Sequence, residues 1–318
     1  MKASDISSQM KASEISSQKI MDSIRPLPEA GKQEQSSAER ALLPPEMEAA
    51  GLSLFMDGDA LTLTDGTNTL CGDFTRMKKR LREANLRQEL LVKAARIKSL
   101  QDDRKPVILD ATAGLGEDSM LLAAAGHQVE LYERDPVIAA LLADALRRAA
   151  EDPALAEAAG RMHLHSGDSE AAMREYARRM HRETTKKSEI CLQNKEDVKA
   201  EEKCAETQKR DSDQAGMNGD ESADAELTAI DIIYLDPMFP GRHKSGLVGK
   251  KFQLLQQLES PCADEEELMQ AALAAEPAKI IIKRPAKGPY LAGRKPSYSL
   301  MGKTVRYDCL VFPENHHV

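Results

Sequence analysis

The segment Asp236-Pro237-Met238-Phe239 combines groups suited to chemistry on an exocyclic amino group of a nucleobase. Such a nitrogen is a poor nucleophile because its lone pair is delocalised into the ring, so a catalyst must draw it towards tetrahedral geometry. The carboxylate of Asp236 and the carbonyl of Pro237 can accept both N–H bonds, and Phe239 offers a face for an extruded base. The alternative is a strand that ends in an ordinary Asp-Pro turn. We predict that Asp236, Pro237 and Phe239 are catalytic.

A second candidate site is the glycine-containing segment DATAGLGED, which runs from Asp110 to Asp118. Gly114 and Gly116 allow a sharp turn and the close approach of a ligand. A dinucleotide-binding loop of the form G-x-G-x-x-G would need a third glycine where Ser119 stands. The two acidic residues that end the segment would repel a pyrophosphate and suit a ligand with a sulfonium and an amino group. We predict ligand contacts at Asp110, Gly114, Gly116, Glu117 and Asp118; a plain strand-to-helix turn is the alternative.

Two more carboxylates follow predicted strands. Glu133 ends the strand predicted at Val129–Glu133, where it can accept hydrogen bonds from the vicinal hydroxyls of a ribose. Nicotinamide-dependent enzymes use a carboxylate in the same way, so this residue alone does not identify the ligand. Asp168 follows the next strand and can accept a hydrogen bond from an adenine amino group, or it can cap the helix that comes after it.

Short apolar strands and amphipathic helices alternate around these residues, which implies an α/β fold with a parallel sheet covered on both faces. The end of the chain departs from this rhythm, because two strand-like segments are separated by only three residues and predict an antiparallel hairpin. The predicted strands are Val107–Leu109, Val129–Glu133, Met162–His165, Ile230–Leu235, Lys279–Lys283, Ser297–Met301 and Val305–Phe312; the predicted helices are Glu117–Ala125, Pro136–Ala150 and Leu254–Ala275.

Composition divides the 318 residues, of which 41% are hydrophobic, into folded and polar parts. Residues 1–40 are rich in Ser, Glu and Gln and contain too few apolar residues to fold, so they predict a disordered polar tail. For residues 41–104 we predict a small N-terminal subdomain with a basic helix. For residues 105–318 we predict one α/β domain, which is interrupted at about 181–228 by a disordered polar insertion.

The net charge of −8 argues against a nucleic-acid partner, but its distribution does not. The two polar tracts hold much of the acidic charge, whereas basic residues form clusters before the first strand of the α/β domain, after Phe239 and after its fifth strand. A solvated helical face is the alternative interpretation of the first cluster. We predict RNA contacts at Arg80, Arg82, Arg242, Lys244, Lys283 and Arg284.

Other patterns exclude several classes of protein. No run of about 18 apolar residues could span a membrane, and the polar N-terminus lacks the apolar centre of a secretory signal. We therefore expect a cytoplasmic protein. The five cysteines have no CxxC spacing, which argues against a zinc site and a disulfide framework, and we expect no metal.

These segments also resemble a known family. Asp236-Pro237-Met238-Phe239 is similar to the D/N-P-P-Y/F motif of amino-methyltransferases. The strings DATAGLGEDSMLLAAAGHQVELYERDPVIAALL, YLDPMFPGRHKSGLV and IIKRPAKGPYLA resemble the RsmJ family, which methylates N2 of a guanine in small-subunit ribosomal RNA. The resemblance runs from about Gly72 to Phe312, with an interruption at the polar tract.

The resemblance implies a Rossmann-like class I methyltransferase fold, with a mostly parallel seven-stranded sheet and a C-terminal antiparallel hairpin. It also implies S-adenosylmethionine (SAM) as cofactor and small-subunit ribosomal RNA, naked or in the assembling subunit, as partner. By analogy, the cofactor contacts fall on Glu117, Asp118, Glu133, Arg134, Gly167, Asp168 and Asp236. The family usually has arginine where Glu117 stands.

Three alternatives remain open at this point. A methyltransferase that acts on adenine in DNA would use the same motif. A nicotinamide-dependent dehydrogenase shares the first two strands, but it explains neither the motif at Asp236 nor the terminal hairpin. The non-enzymatic alternative is an RNA-binding protein on the same fold.

Overall fold

The computed structural model describes residues 51–97, 104–182, 185, 229–237 and 264–312. The predicted tail at 1–40 and nearly all of the predicted insertion at 181–228 lie outside the described residues. The same is true of the predicted site residues Phe239, Arg242 and Lys244.

The described strands form two sheets. A small antiparallel sheet contains β1 (Ser53–Asp57), β2 (Ala60–Thr64) and β3 (Thr69–Leu70). The large sheet contains β4 (Val107–Asp110), β5 (Gln128–Glu133), β6 (Met162–Ser166), β7 (Ile232–Leu235), β8 (Lys279–Pro285), β9 (Tyr298–Met301) and β10 (Val305–Val311).

The large sheet has the strand order β6-β5-β4-β7-β8-β10-β9. Its first five strands are parallel, whereas β10 is antiparallel to both β8 and β9. The prediction of a mostly parallel seven-stranded sheet with a C-terminal antiparallel hairpin is confirmed. The chain reverses its direction of winding between β4 and β7, and such a switch point opens a crevice at the carboxyl ends of the strands.

The described helices are α1 (Glu83–Leu86), α2 (Leu90–Ala94), α3 (Glu117–Ala124), α4 (Pro136–Glu151), α5 (Ala156–Ala159), α6 (residues 169–182) and α7 (Glu265–Ala274). Local sequence explains where the longer ones begin. The side chain of Asp135 accepts hydrogen bonds from the first backbone N–H groups of α4, ahead of Pro136, and Asp264 does the same for α7.

Each face of the large sheet is covered by its own set of helices. On one face, α2, α3 and α4 pack against Ile108, Val129 and Tyr234. On the other face, α6 and α7 pack against Ile233 and Ile280. Strand side chains alternate between the two faces, and this alternation determines which helices each functional side chain of the sheet meets.

The segment predicted as the N-terminal subdomain contains the small sheet, which packs on α4. Leu54 and Leu63 are fully buried there against Leu141. The prediction of a basic helix in this segment is wrong for the residues that the structure describes. Of the basic residues that the structure describes there, one lies on a 3-10 turn and one on α2, and the others lie in the connections around α1 and α2. The two short helices are separate because Arg82 and Glu89, immediately before them, have extended backbone conformations with ψ of 135° and 128°.

Candidate active site

The glycine-containing loop connects β4 to α3. Both of its glycines have a left-handed backbone conformation, with φ of 53° at Gly114 and 72° at Gly116. A Cβ at Gly116 would also lie 2.7 Å from Cδ1 of Leu142 on α4. The turn and the helix packing therefore both require glycine at position 116.

Hydrogen bonds hold this loop between the two strands that flank β4. The backbone N–H of Ala111 donates to the carbonyl of Tyr234 in β7 over 3.0 Å, and that of Ala113 donates to the carbonyl of Tyr132 in β5 over 3.1 Å. The loop consequently lies at the carboxyl edge of the sheet, where the crevice was expected.

Asp110, the last residue of β4, positions the loop from beneath. Its carboxylate accepts hydrogen bonds from the backbone N–H of Thr112, over 3.0 Å, and from the hydroxyl of Ser119. Burial raises the pKa of Asp110 to about 7. Because this side chain is only 1% exposed, the predicted direct contact of Asp110 with the ligand is wrong; it holds the loop instead.

Glu133 ends β5 beside the glycine loop. One of its carboxylate oxygens accepts a hydrogen bond from the backbone N–H of Gly114 over 2.9 Å, and the other accepts one from the N–H of Asp135 over 2.8 Å. A carboxylate has about four acceptor sites, so both bonds are compatible with a further pair from ribose hydroxyls. The neighbouring Arg134 is exposed at the same edge.

Asp168 follows β6 and caps α6. Its Oδ1 accepts hydrogen bonds from the backbone N–H groups of Glu170 and Ala171 over 2.8 and 3.1 Å, which confirms the helix-cap interpretation. The preceding residue, Gly167, donates its N–H to the carbonyl of Glu133 over 2.8 Å. Gly167 and Asp168 thus lie beside Glu133, and their contact with adenine stays a prediction.

Asp236 begins the segment after β7 and belongs to a compact charged cluster. Its Oδ2 lies 2.8 Å from Nζ of Lys283, and the same ammonium lies 2.6 Å from Oδ2 of Asp118 on α3. The hydroxyl of Tyr234 also donates to Oδ2 of Asp118 over 2.6 Å. The backbone N–H of Asp236 donates to Oγ1 of Thr112 over 2.7 Å, which ties the cluster to the glycine loop.

Burial and mutual attraction control the charges of this cluster. Burial raises the pKa of Asp236 above its ordinary value, and the adjacent ammonium of Lys283 opposes that rise. Burial alone would lower the pKa of Lys283, but the carboxylates of Asp118 and Asp236 raise it well above its ordinary value. Lys283 therefore stays cationic, and it favours the ionised form of Asp236.

Two residues predicted to contact RNA have other roles. Lys283 is enclosed between two carboxylates, so its charge is already balanced within the crevice. Arg284 is 1% exposed, and its guanidinium donates to the carbonyl of Pro289 and pairs with Glu265 of α7. A buried, paired guanidinium cannot reach an RNA phosphate, so the RNA assignment of Arg284 is wrong, whereas contact of Lys283 with RNA stays a prediction. Adjacent residues on one strand point to opposite faces, which separates these two cations.

The basic cluster before β4 remains at the surface. Arg80 and Arg82 are both exposed, but Arg80 makes a two-pronged ion pair with Glu89, at 2.9 and 3.0 Å. The carboxylate balances much of the charge of Arg80. Contact of either residue with RNA stays a prediction, with Arg82 as the stronger candidate.

Sequence reasoning missed the role of Lys283 in the acidic cluster and the supporting roles of Thr112 and Tyr234. The position of the lysine follows from the register of two strands. In a parallel pair with Leu235 opposite Ile282, the next residues along, Asp236 and Lys283, must also be neighbours. That register follows only from the pairing of β7 with β8, which the sequence did not specify.

Within the ranges given above, no group of three or more His, Cys, Asp or Glu could hold a metal ion. No helix in that part of the chain is long and apolar enough to cross a membrane.

The hydrogen-bond acceptors of the crevice fit SAM. Glu133 and Asp168 place two carboxylates along the carboxyl edge, which suits the hydroxyl and amino groups of that cofactor, and Asp118, paired with Lys283, adds a third. Carboxylates at this edge oppose a pyrophosphate. The fit rests on the chemistry of these side chains. Their individual contacts with the cofactor stay predictions.

Comparisons with known proteins agree with this site. A sequence model of a family of SAM-dependent methyltransferases matches residues 37–183 and 196–312. The chain is 36% identical over 277 residues to ribosomal RNA small subunit methyltransferase J of Thioalkalivibrio sulfidiphilus, covering 85% of this chain and 89% of that relative. It is 34% identical over 272 residues to the protein of the same name from Marinobacter nauticus, covering 83% of this chain and 79% of the relative.

A solved structure gives the same result. The SAM-dependent methyltransferase of Neisseria gonorrhoeae is 27% identical, aligns with a TM-score of 0.54 and covers 85% of each chain. The fold is therefore that of class I SAM-dependent methyltransferases, and a dehydrogenase is excluded. The chain belongs to the ribosomal RNA small subunit methyltransferase J family.

Proposed function

We propose that this protein transfers a methyl group from SAM to the exocyclic N2 of a guanine in small-subunit ribosomal RNA. The observation that carries the proposal is the position of Asp236: its carboxylate lies at the switch point of the sheet and is held by Lys283 and, through its backbone, by Thr112. The names of the relatives support the RNA substrate. An rRNA substrate also implies a cytoplasmic protein.

Different residues of the crevice would bind different parts of the cofactor. Glu133 would hold the ribose of the cofactor, Asp168 its adenine amino group, and the acidic residues of α3 its charged end. Gly114 and Gly116 would allow the backbone of the loop to approach the cofactor closely. SAM would supply a methyl group bonded to a positively charged sulfur, and that sulfur would leave as a neutral thioether when the C–S bond is exchanged for a C–N bond.

Asp236 would act on the nucleophile. Because Lys283 occupies Oδ2, the remaining oxygen can accept an N–H bond of the guanine amine while the carbonyl of Pro237 accepts the other. This pulls the lone pair of the nitrogen out of conjugation and towards the methyl donor. The nitrogen becomes cationic on transfer and strongly acidic, so its proton can leave afterwards without a dedicated base. Phe239 would stack the extruded base.

The test is methyl transfer to small-subunit rRNA isolated from cells that lack the gene. With labelled SAM, the wild-type protein should produce N2-methylguanosine, identified by mass spectrometry of the nucleosides, and Asp236→Ala should not. Naked rRNA and assembled small subunits should be compared as substrates. Label on an adenine, or RNA binding with no transfer to either substrate, would contradict the proposal and support the DNA-type enzyme or the non-catalytic binder, respectively.

A further inference from the structure

The loop at residues 286–293 follows β8 on the side of Asp236 that faces away from Glu133 and Asp168, the residues proposed to hold the ribose and the adenine. Glu133 and Asp168 follow β5 and β6, whereas β8 lies on the opposite side of β7 in the strand order. In-line transfer requires the nucleophile to approach opposite the sulfonium. RNA must therefore enter the crevice from the side that this loop borders.

Two buried arginines fix the shape of this loop. Arg306 is 5% exposed and donates to the carbonyls of Pro285, Ala286 and Gly288 over 3.0, 3.1 and 2.9 Å. It also donates to the carbonyl of Pro289 over 3.2 Å, and Arg284 donates to that same carbonyl over 2.9 Å. Burying a guanidinium is costly unless its donors are satisfied. Here several of the donors bond to backbone carbonyls of one surface loop, which restricts its conformation.

Tyr290 is the aromatic residue that this loop presents. Its ring centroid lies 5.1 Å from Cζ of Arg306, yet 39% of the residue remains exposed. The guanidinium therefore supports part of the ring while the rest meets solvent. An aromatic ring held in place in this way can stack on a ligand at little cost in conformational entropy.

The surroundings of Tyr290 favour a nucleic acid as its ligand. Lys287, Arg294 and Lys295 are exposed on the same stretch of chain. Aromatic rings interleaved with cations are typical of surfaces that bind single-stranded nucleic acid, because bases stack on the rings while phosphates meet the charges. Every base has a π face, so such a platform does not depend on sequence.

We propose that Tyr290 is a stacking platform for an unpaired base of the RNA substrate, presented next to the crevice by a loop that Arg306 and Arg284 hold rigid. This inference rests on the proposed function and adds to it a substrate-binding residue beyond those at Asp236.

The chain contains no tryptophan, which permits a direct spectroscopic test. Tyr290→Trp would be the sole tryptophan, and its emission should be quenched when in vitro-transcribed small-subunit rRNA stacks on it. Tyr298→Trp is the matched control, since Tyr298 is 40% exposed but lies level with Ile281 in the sheet, farther from the carboxyl edge. Equal quenching of both variants, or an unquenched Tyr290→Trp that binds the RNA, would overturn the inference.

Affinity gives a second readout. Tyr290→Ala should weaken binding of the same RNA by roughly tenfold or more, whereas Tyr290→Phe should bind like the wild type and SAM affinity should not change. Tyr290→Leu keeps an apolar group against Arg306 but lacks the π face, so it should resemble Ala if stacking matters. Wild-type affinity in the Leu variant would overturn the inference. Failure of the inference about Tyr290 is distinguishable from failure of the proposed function. If the proposed function were wrong, the wild-type protein itself would transfer no methyl group to rRNA.

Discussion

The ammonium of Lys283 lies 2.8 Å from Oδ2 of Asp236, a residue 47 positions away in the chain. The same ammonium pairs with Asp118 on α3, so a single cation joins the strand that carries the proposed catalytic carboxylate to the helix that follows the glycine loop. Lys283 is accordingly a positioning residue, and its substitution should be visible in the pH dependence of the reaction.

Lys283→Met should move the acidic limb of the kcat profile to higher pH by about one to three units. Burial raises the pKa of Asp236 and Lys283 opposes that rise, so loss of the ammonium raises the pKa further and leaves less ionised carboxylate at a given pH. Lys283→Arg should restore much of the normal profile. Lys105→Met, which removes an exposed lysine at the amino end of β4, is the control. A loss of RNA affinity with an unshifted profile would instead favour a phosphate contact.

Asp236→Ala should lower kcat by at least about a hundredfold when both substrates saturate, because its hydrogen bond strengthens as the amine is reshaped for attack. Asp236→Asn should do less harm, since its carbonyl still accepts one N–H bond. Initial rates of rRNA methylation at saturating SAM and rRNA measure both variants. Near-normal turnover of Asp236→Ala would reduce this residue to part of a turn beside the cofactor.

Glu133→Ala should raise the dissociation constant for SAM roughly ten- to a hundredfold, the scale of lost hydrogen bonds to a charged group. The rate at saturating cofactor should recover, because the ribose is held equally in the ground and transition states. Isothermal titration calorimetry and the KM for SAM measure these effects. Glu133→Gln keeps one acceptor for the N–H of Gly114, so its dissociation constant for SAM should lie between those of the wild type and the Ala variant. Unchanged affinity in the Ala variant would exclude the ribose contact.

Asp110→Asn should flatten the dependence of stability on pH. The folded-state pKa of Asp110 is about 7, above an unfolded value of about 3.9, so the folded protein retains a proton that the unfolded chain releases. The stabilisation is therefore lost as pH rises from about 4 to about 7. Between about pH 5 and pH 8, the wild type should lose about 2–3 kcal/mol more free energy of unfolding than the Asn variant, measured by urea denaturation. Parallel pH profiles would show that Asp110 titrates normally.

Arg82→Gln should reduce the slope of log K against log salt for rRNA binding by about 1, as expected for one lost phosphate contact. Arg80→Gln should change it less, because Glu89 already balances that charge. Arg178→Gln on α6, which lies on the other face of the sheet, is the control for a general loss of charge. If all three variants kept the slope of the wild type, the basic segment would not be part of the RNA interface.

Much of the fold follows from local sequence. Apolar runs ending in Asp110, Glu133 and Asp236 predict strands whose carboxyl ends carry polar groups, and the glycines of the intervening loop predict a turn that only a left-handed backbone satisfies. Local hydrogen-bonding and conformational preferences act within a few residues, so the strands of the large sheet could be predicted from the chain itself, in their order along it; β1, β2 and β3 were not predicted.

Pairing and burial depend on distant residues, so only the tertiary structure decides them. Lys283 and Arg284 are adjacent cations with the same sequence signature, yet one joins two carboxylates beneath α3 and the other holds a loop beside α7. Side chains alternate between the two faces of a strand. The role of each of these two cations therefore depends on the helix and the carboxylates that pack on the face to which it points. For the same reason, the basic segment before β4 could be recognised by its charge, but the ion pair that occupies Arg80 and leaves Arg82 at the surface depends on how the chain folds back between them and Glu89.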